Sequence, residues 1–528
     1  MKKFLCLFLL SQITMSWSQT QSAESDLNNS LGEEELYRPN FHFTPEQNWM
    51  NDPNGMFFYE GQYHLFFQHY PDGNTWGPMH WGHATTENLI EWDEKPIAIY
   101  PDEQGYIFSG SAVVDANNTS GLAEEGKTPI VAMFTYHDAK GEKEGLETFQ
   151  SQAIAYSLDQ GKTWKKYEGN PVIENPGIRD FRDPKMQWDE LNNQWIMVLA
   201  AQDKSLFYTS KNLTEWELAF EFGNKIGAHG GVWECPDFFP IQVKNSNETK
   251  WVLIQSLNPG AYNGGSGTQY FVGDFDGTNF TPVAGQKNLE ANHTYWLDFG
   301  KDNYAGVTWA STNMKEDRKL FIGWMSNWQY AEKVPTTKWR SSMTFPRELT
   351  LIKKEDSTYR LFSEPANQID KISKQEGEES KVKSAENTLL LADDSKLEMD
   401  KLRVKLKIPI SENETYTFKL TNLKGDILEF GFHSTDSTLF IDRSRSGIVD
   451  FSNHFADKVS KAPRTSDDDL LEVEILLDKT SIELFYDEGE TVMTEIFFPN
   501  SPMTQLELIT SEDNFTIEDL NIYQLELN

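Results

Sequence analysis

Glu87-Asn88-Leu89-Ile90-Glu91-Trp92 returns later in the chain as Lys211-Asn212-Leu213-Thr214-Glu215-Trp216. Leu158-Asp159-Gln160-Gly161-Lys162-Thr163-Trp164 is a looser copy, and Asp274-Phe275-Asp276-Gly277-Thr278-Asn279-Phe280 is a fourth with Phe in place of Trp. The closing aromatics are 72, 52 and 64 residues apart. Each copy sets Asn, Asp or Gly turn chemistry before an aromatic, and strand-like runs lie on either side. A repeat of that length, with strands around a turn, fits propeller blades of four strands. A sandwich with coincidental turns is the alternative that the repeat alone leaves open.

Working outward, strand patterns crowd the span from Tyr37 to Leu351 and helix signals are scarce. The clearest runs are residues 62–67, 107–114, 128–136, 194–200, 251–255, 269–272 and 320–324, bounded by Gly, Asn, Asp and Pro. That span holds about five blades on the usual range of four to eight. Residues 357–379 carry many charges and few large apolar side chains, which predicts a linker over 353–380. Alternating runs resume at 470–477, 481–486 and 492–498, separated by Asp478-Lys479-Thr480 and Asp487-Glu488-Gly489-Glu490, as in an antiparallel meander. The expected organisation is all-β: a five-bladed β-propeller over 37–352 and a β-sandwich over 381–528.

The N-terminus reads as a signal peptide over 1–18. Lys2 and Lys3 precede an apolar run from Phe4 to Leu10, and Ser16-Trp17-Ser18 is a small-x-small cleavage site. No lipoprotein-like box precedes Cys6. The polar residues 19–36 read as a disordered leader. The signal peptide predicts that the mature chain is exported, and with no stretch of about 18 apolar residues no membrane span is expected. Cys235 is the one cysteine left after cleavage, so the mature chain is expected to have no disulfide and no cysteine metal site. The 47 basic against 82 acidic residues give a formal charge of −35, which argues against nucleic acid and anionic membranes as partners. Aromatics make up 13% of the chain, enough for β cores and for stacking on sugar faces.

Three carboxylates stand in unusual settings. Asp52 lies in Trp49-Met50-Asn51-Asp52-Pro53-Asn54-Gly55, which reads locally as a tight turn on an apolar floor. Asp183 lies in Phe181-Arg182-Asp183-Pro184, where strand alternation would send Arg182 and Asp183 to opposite faces. Glu234 lies in Trp233-Glu234-Cys235-Pro236, whose soft neighbours would favour the protonated carboxyl that a general acid needs. Each falls in a different expected blade, and inner blade strands line one central funnel. Two carboxylates facing one glycosidic bond are the minimal equipment for glycoside hydrolysis.

Together these motifs resemble the signature of glycoside hydrolase family 32, which holds invertases, exo-inulinases and levanases. Further matches are Phe66-Phe67-Gln68, Trp81-Gly82-His83-Ala84, Phe108-Ser109-Gly110-Ser111, Asn258-Pro259-Gly260, Gln269-Tyr270-Phe271-Val272-Gly273, Phe299-Gly300-Lys301-Asp302 and Gly323-Trp324-Met325-Ser326-Asn327-Trp328. Residues 481–499 resemble the family's C-terminal sandwich. The resemblance implies a five-bladed propeller with a sandwich. It implies Asp52 as nucleophile, Glu234 as acid/base and Asp183 as transition-state stabiliser working with Arg182. It implies a fructose subsite lined by Trp49, Asn51, Gln68, Trp76, Phe108, Ser109 and Trp328. No cofactor and no catalytic metal are expected. The expected reaction is retaining hydrolysis of β-fructofuranosidic bonds in fructan or sucrose. Residues 324–331 resemble exo-acting bacterial levanases and inulinases, which favours exo-release of fructose. Endo-cleavage, fructosyl transfer and non-catalytic fructan binding stay open, as do linkage preference, the sandwich's role and oligomeric state.

Overall fold

The computed structural model describes residues 36–527 except 125, 313, 385 and 512. The signal peptide, and all of the leader except the exposed turn residue Leu36, lie outside the described residues.

Five antiparallel sheets follow one another along the chain. Their inner strands are Asn48–Tyr59, Tyr106–Val114, Phe181–Asp189, Val232–Gln242 and Tyr304–Thr308, for blades I to V. Each inner strand packs on the next, and that of blade V packs on that of blade I, so the ring closes. Closure has a covalently remote latch. Trp339–Arg340 leaves blade V and pairs in parallel with Asn48 and Trp49 of blade I. Ala310 adds two backbone hydrogen bonds to Met56 and Phe58.

The sequence repeat is the hairpin between the third and fourth strands of each blade. In blades I and III the Asn88 and Asn212 side chains accept from backbone N–H groups two and three residues on. The following Leu89 and Leu213 take φ of 64° and 63° and are fully buried. Asp276 does the same work in blade IV, and in blade II Asp159 accepts from the Thr163 N–H, four residues on. Blade V carries a fifth copy that the pattern missed: Asp356 accepts from Thr358 before Tyr359 opens the outer strand. Ser357 stands at its positive φ where other copies have Gly, Leu or Gln.

The predicted linker over 353–380 is not a linker. Tyr359–Pro365 is the outer strand of blade V, paired with Arg347–Lys353. A short 3-10 turn, Asn367–Lys371, leads directly into Ser373–Lys383, a strand of the second domain paired with Thr516–Leu525. Ser373–Lys383 lies at a sheet edge, and its exposed Lys and Glu side chains protect that edge from pairing with other chains. Those charges hide the strand from an apolar-alternation reading.

The second domain is two six-stranded sheets face to face. Leu402, Val404, Leu406 and Ile408 alternate inward from one sheet, and Phe418, Phe430 and Leu508 meet them from the other. The same apolar core runs on into blade IV through Trp296 and Phe299.

A buried charge network ties the two domains. Arg347 donates to Asp298 at 2.9 Å and also to Glu483, all three side chains being essentially inaccessible. His42 bridges Asp478 at 2.8 Å and Glu483 at 2.7 Å. Burial alone would lower the His42 pKa, but Asp478 and Glu483 outweigh it and raise it to about 9. Burial likewise opposes ionisation of Glu483, but Arg347 and His42 hold its pKa at about 2. The His42 contribution is complete below about pH 6.5 and is lost as pH rises through about 9; the Glu483 contribution is complete above about pH 4.5 and is lost as pH falls towards 2. The melting temperature is therefore expected to be highest between about pH 4.5 and 6.5 and to fall towards pH 9. His42→Gln should lower it by roughly 5 °C at pH 6 and flatten that alkaline fall. An unchanged alkaline slope in the variant would rule out the imidazolium as its origin.

Candidate active site

The Trp49–Gly55 segment is not a turn. It lies within the strand Asn48–Tyr59, and its turn residues break register twice, between Met50 and Pro53 and between Asn54 and Phe57. Bulges of this kind re-aim side chains at active sites and barrel rims. Gly55 takes φ 52°, and a Cβ there would stand 2.5 Å from the Trp81 ring. The other inner strands break register at matching places. The shifts fall between Ile107 and Gly110, at Arg182 to Lys185 opposite Val198 and Ala200, between Glu234 and Asp237, and between Tyr304 and Val307. Asp183 and Cys235 take φ of 65° and 44°, conformations that cost non-glycine residues about 1–3 kcal/mol each.

These breaks bring the three carboxylates together. Asp52 is buried, and its Oδ2 accepts from Ser109 Oγ at 2.6 Å and from the Cys235 thiol at 3.3 Å. Its Oδ1 is buried with no hydrogen-bond partner among the described residues. Asp183 Oδ2 accepts from the Cys235 backbone N–H at 3.0 Å, and the same thiol lies 3.6 Å from it. Arg182 donates to Glu234 Oε1 at 3.0 Å and to Asp180 at 2.7 Å, with its Nε 4.0 Å from Asp183. Tyr304 donates its hydroxyl to Glu234 Oε2. One chain of contacts thus runs from Asp52 through Cys235, Asp183 and Arg182 to Glu234.

Two local expectations change. Arg182 and Asp183 do not diverge to opposite faces, because the positive φ at Asp183 folds both towards the funnel. Glu234 is not cushioned by apolar neighbours. Trp233 turns away, stacking on His229 at 5.1 Å and donating to Ala228 O, while the Cys235 thiol faces the two aspartates. Glu234 is held instead by a guanidinium and a phenol.

Burial raises the Asp52 pKa, Ser109 opposes, and Glu234 raises it further. Burial likewise pushes Asp183 up to about 7, with Arg182 opposing and Glu234 and Asp52 adding to the rise. Burial pushes the Cys235 thiol well up, and the nearby carboxylates add to this, so it stands as a neutral S–H donor.

Most of the expected subsite residues surround this cluster. Trp49 donates its indole N–H to Asn51 at 2.8 Å and stacks on the partly exposed Trp328 at 5.8 Å. Phe108 is half-buried beside them, with the exposed Trp76 edge-on at 6.0 Å. Gln68 is deeply buried, and its amide donates to Asn54 and to Ile107 O, bracing the inner strands of blades I and II. Tyr304, Asp180, Gln150 and Thr135, whose hydroxyl accepts from the Asp183 N–H at 3.1 Å, escaped the sequence reading. Tyr304 follows Phe299-Gly300-Lys301-Asp302 by two residues, so extending that motif would have reached it. Among the described residues no group of three metal-ligating side chains is found, and no helix is long and apolar enough to cross a membrane.

The family model "Glycosyl hydrolases family 32 N-terminal domain" matches residues 42–365, and "Glycosyl hydrolases family 32 C terminal" matches residues 368–524. The chain belongs to glycoside hydrolase family 32. It is similar to the levanase of Bacillus subtilis (strain 168), with 43% identity over 510 residues covering 96% of this chain and 73% of that one. It is 38% identical to the extracellular exo-inulinase of Aspergillus awamori, covering 99% of this chain and 98% of that one. The crystal structure of exo-inulinase from that organism matches with a TM-score of 0.83 at 37% identity, over 93% of this chain and 98% of that one. The β-fructofuranosidase of Schwanniomyces occidentalis complexed with fructosyl-erythritol matches with a TM-score of 0.80 at 32% identity, over 93% and 98%. The family 32 propeller and sandwich are those described above, and the chain is a β-fructosidase.

On the expectation that Asp52 attacks as a carboxylate, it must be ionised, and activity is lost as pH falls through its pKa. Ser109→Ala removes the hydroxyl that stabilises ionised Asp52. The acid limb of the pH profile of kcat/KM should therefore move up by about one unit, the worth of one charge-assisted hydrogen bond. A profile superimposable on the wild type would refute the Asp52 assignment to that limb.

Proposed function

We propose that this chain cleaves β-fructofuranosidic bonds with retention of configuration and releases fructose from the ends of levan- or inulin-type fructans, with sucrose as a smaller substrate. The observation that carries the proposal is the asymmetry of Asp52. One oxygen is pinned by Ser109 and Cys235, and the other is buried and unpartnered. A buried oxygen not held by those two donors, beside a second carboxyl, suits a nucleophile.

In the first step Asp52 Oδ1 forms a bond to the fructosyl anomeric carbon as the glycosidic C–O bond breaks. Glu234 passes its proton to the departing oxygen. In the second step Glu234 takes a proton from water, whose oxygen attacks the same carbon and displaces Asp52. Arg182 and Tyr304, one on each oxygen of Glu234, hold that carboxyl in one orientation through both transfers. Asp183 bonds the sugar hydroxyls, and its backbone anchor to Cys235 keeps it beside the developing oxocarbenium charge. Trp49, Trp328, Phe108 and Trp76 offer ring faces and edges to the furanose, and Asn51 its carboxamide.

Exo-action is supported by the likeness to an enzyme named exo-inulinase and by residues 324–331. Export is supported by the leader sequence and by the word extracellular in that relative's name.

Asp52→Ala is expected to reduce kcat by about 10³-fold or more with an unchanged melting temperature; wild-type turnover would overturn the nucleophile assignment. Chromatography of early levan and inulin digests is expected to show fructose alone; a ladder of oligosaccharides would overturn exo-action. Retention further predicts an Asp52–Glu234 carboxyl separation of about 5–5.5 Å in a crystal structure, against roughly 6.5–9.5 Å for inversion.

A further inference from the structure

Behind the residues just described lies a buried chain that the reaction scheme does not use. Gln150, at the start of Gln150–Ser157, is almost fully buried. Its Oε1 accepts from the Phe181 N–H at 2.8 Å and from Arg182 Nη1 at 3.4 Å. With its oxygen thus occupied by two donors, the other end of the carboxamide must be the NH2. That NH2 lies 3.3 Å from His137 Nδ1. Two N–H groups cannot face each other there, so His137 Nδ1 must be the acceptor. The ring proton is then on Nε2, which faces Glu142 Oε2 at 3.2 Å. The tautomer of His137 is fixed by its neighbours.

The His137 ring has a second task. It lies parallel to Phe108, with centroids 4.1 Å apart and 6° between the planes, and it is 4% exposed. Tyr106 flanks it, and Phe149 meets it edge-on. One imidazole thus supports the aromatic floor by its face and the Arg182 guanidinium by its edge. The charged groups around it are Glu142 and Asp138 from the short helix and its cap, Arg182 from blade III, and Arg179, which pairs with Glu142 at 3.2 Å. Burial, with Arg182, holds its pKa at about 4, so the neutral form that Gln150 requires persists through the weakly acidic range.

We propose that His137 and Gln150 are positioning residues for the hydrolysis: neutral His137 orients the Gln150 carboxamide, Gln150 sets Arg182 on Glu234, and the His137 ring backs Phe108 under the sugar. The proposal rests on the hydrolytic reading of the site given above. It separates two functions that single replacements can split. His137→Phe keeps a flat ring under Phe108 but has no acceptor for Gln150. His137→Asn keeps an acceptor near the Nδ1 position but removes the ring.

The experiment is steady-state kinetics on sucrose and on inulin, with melting temperatures recorded alongside. His137→Phe is expected to lower kcat at least about 10-fold at nearly unchanged KM, because a misplaced Arg182 loosens Glu234. His137→Asn is expected to raise KM several-fold while kcat stays within about twofold. Gln150→Met, which deletes the link without adding bulk, should reproduce the kcat loss, and keeps the proposal testable should the Phe variant fail to fold. The double variant His137→Phe with Gln150→Met should lose no more than either single one. The same fractional changes in kcat and in KM for the Phe and Asn variants, or wild-type kcat in Gln150→Met, would overturn the positioning roles. A wild-type protein that releases no fructose from either substrate would overturn the hydrolytic reading itself, and the positioning roles with it.

Discussion

Five inner strands meet around one axis, and a regular ladder cannot point their side chains at a common spot. The structure meets that constraint by breaking each ladder at the same depth. The bulges at Asp52, Ser109, Asp183, Glu234 and Tyr304 turn one polar side chain per blade towards the funnel. Beneath them the strands are tied by polar side chains rather than by ladder bonds. Asp237 accepts from both the N–H and the hydroxyl of Thr308, with Lys185 at 3.5 Å, so blades III, IV and V share one buried ion pair. Ser111 and Gln152 reach from blade II to the backbone of blade III. The geometry of the carboxylate cluster is therefore a property of the whole ring.

Burial has opposite consequences at two levels of the molecule. In the funnel it raises Asp52 and Asp183, where carboxylates crowd together with Arg182 as their one close cation among the described residues. At the domain junction burial is outweighed, because His42 and Arg347 interleave with Asp298, Asp478 and Glu483. Buried ion pairs add little net stability compared with apolar packing, but removing one partner is costly. Arg443 repeats the pattern with Asp302 and Glu495 from the two sides of the same junction. Such charge pairing fixes how the sandwich sits on blade V.

Much of this was legible in the chain. The Asn88 and Asn212 repeats marked the outer hairpins because side-chain capping of a turn leaves a local signature. The copy at Asp356 carries Ser357 in place of Gly or Leu and escaped notice. Turn chemistry at Trp49–Gly55 was real, yet the neighbouring strand Gln62–Tyr70 captured the segment and turned a reversal into bulges. Ser373–Lys383 looked like a linker because edge strands are polar by necessity. The partners of Glu234 were invisible, since Tyr304 and Arg182 reach it only after separate blades have closed. The three acids themselves stood out because each sat among residue types that ordinary strands avoid.

The latch at Trp339–Arg340 and the segment from Tyr37 to Phe43 bear on how the protein is made. Asn40 and Phe41 donate their backbone N–H groups to Asp478, 438 and 437 residues away in sequence. Blade I cannot complete its inner edge until residue 340 has been synthesised, and Asn40 and Phe41 wait for the sandwich strand Leu470–Asp478. A nascent chain therefore carries an unzipped, hydrogen-bond-hungry border through most of its synthesis, and chains terminated early would present that border to one another.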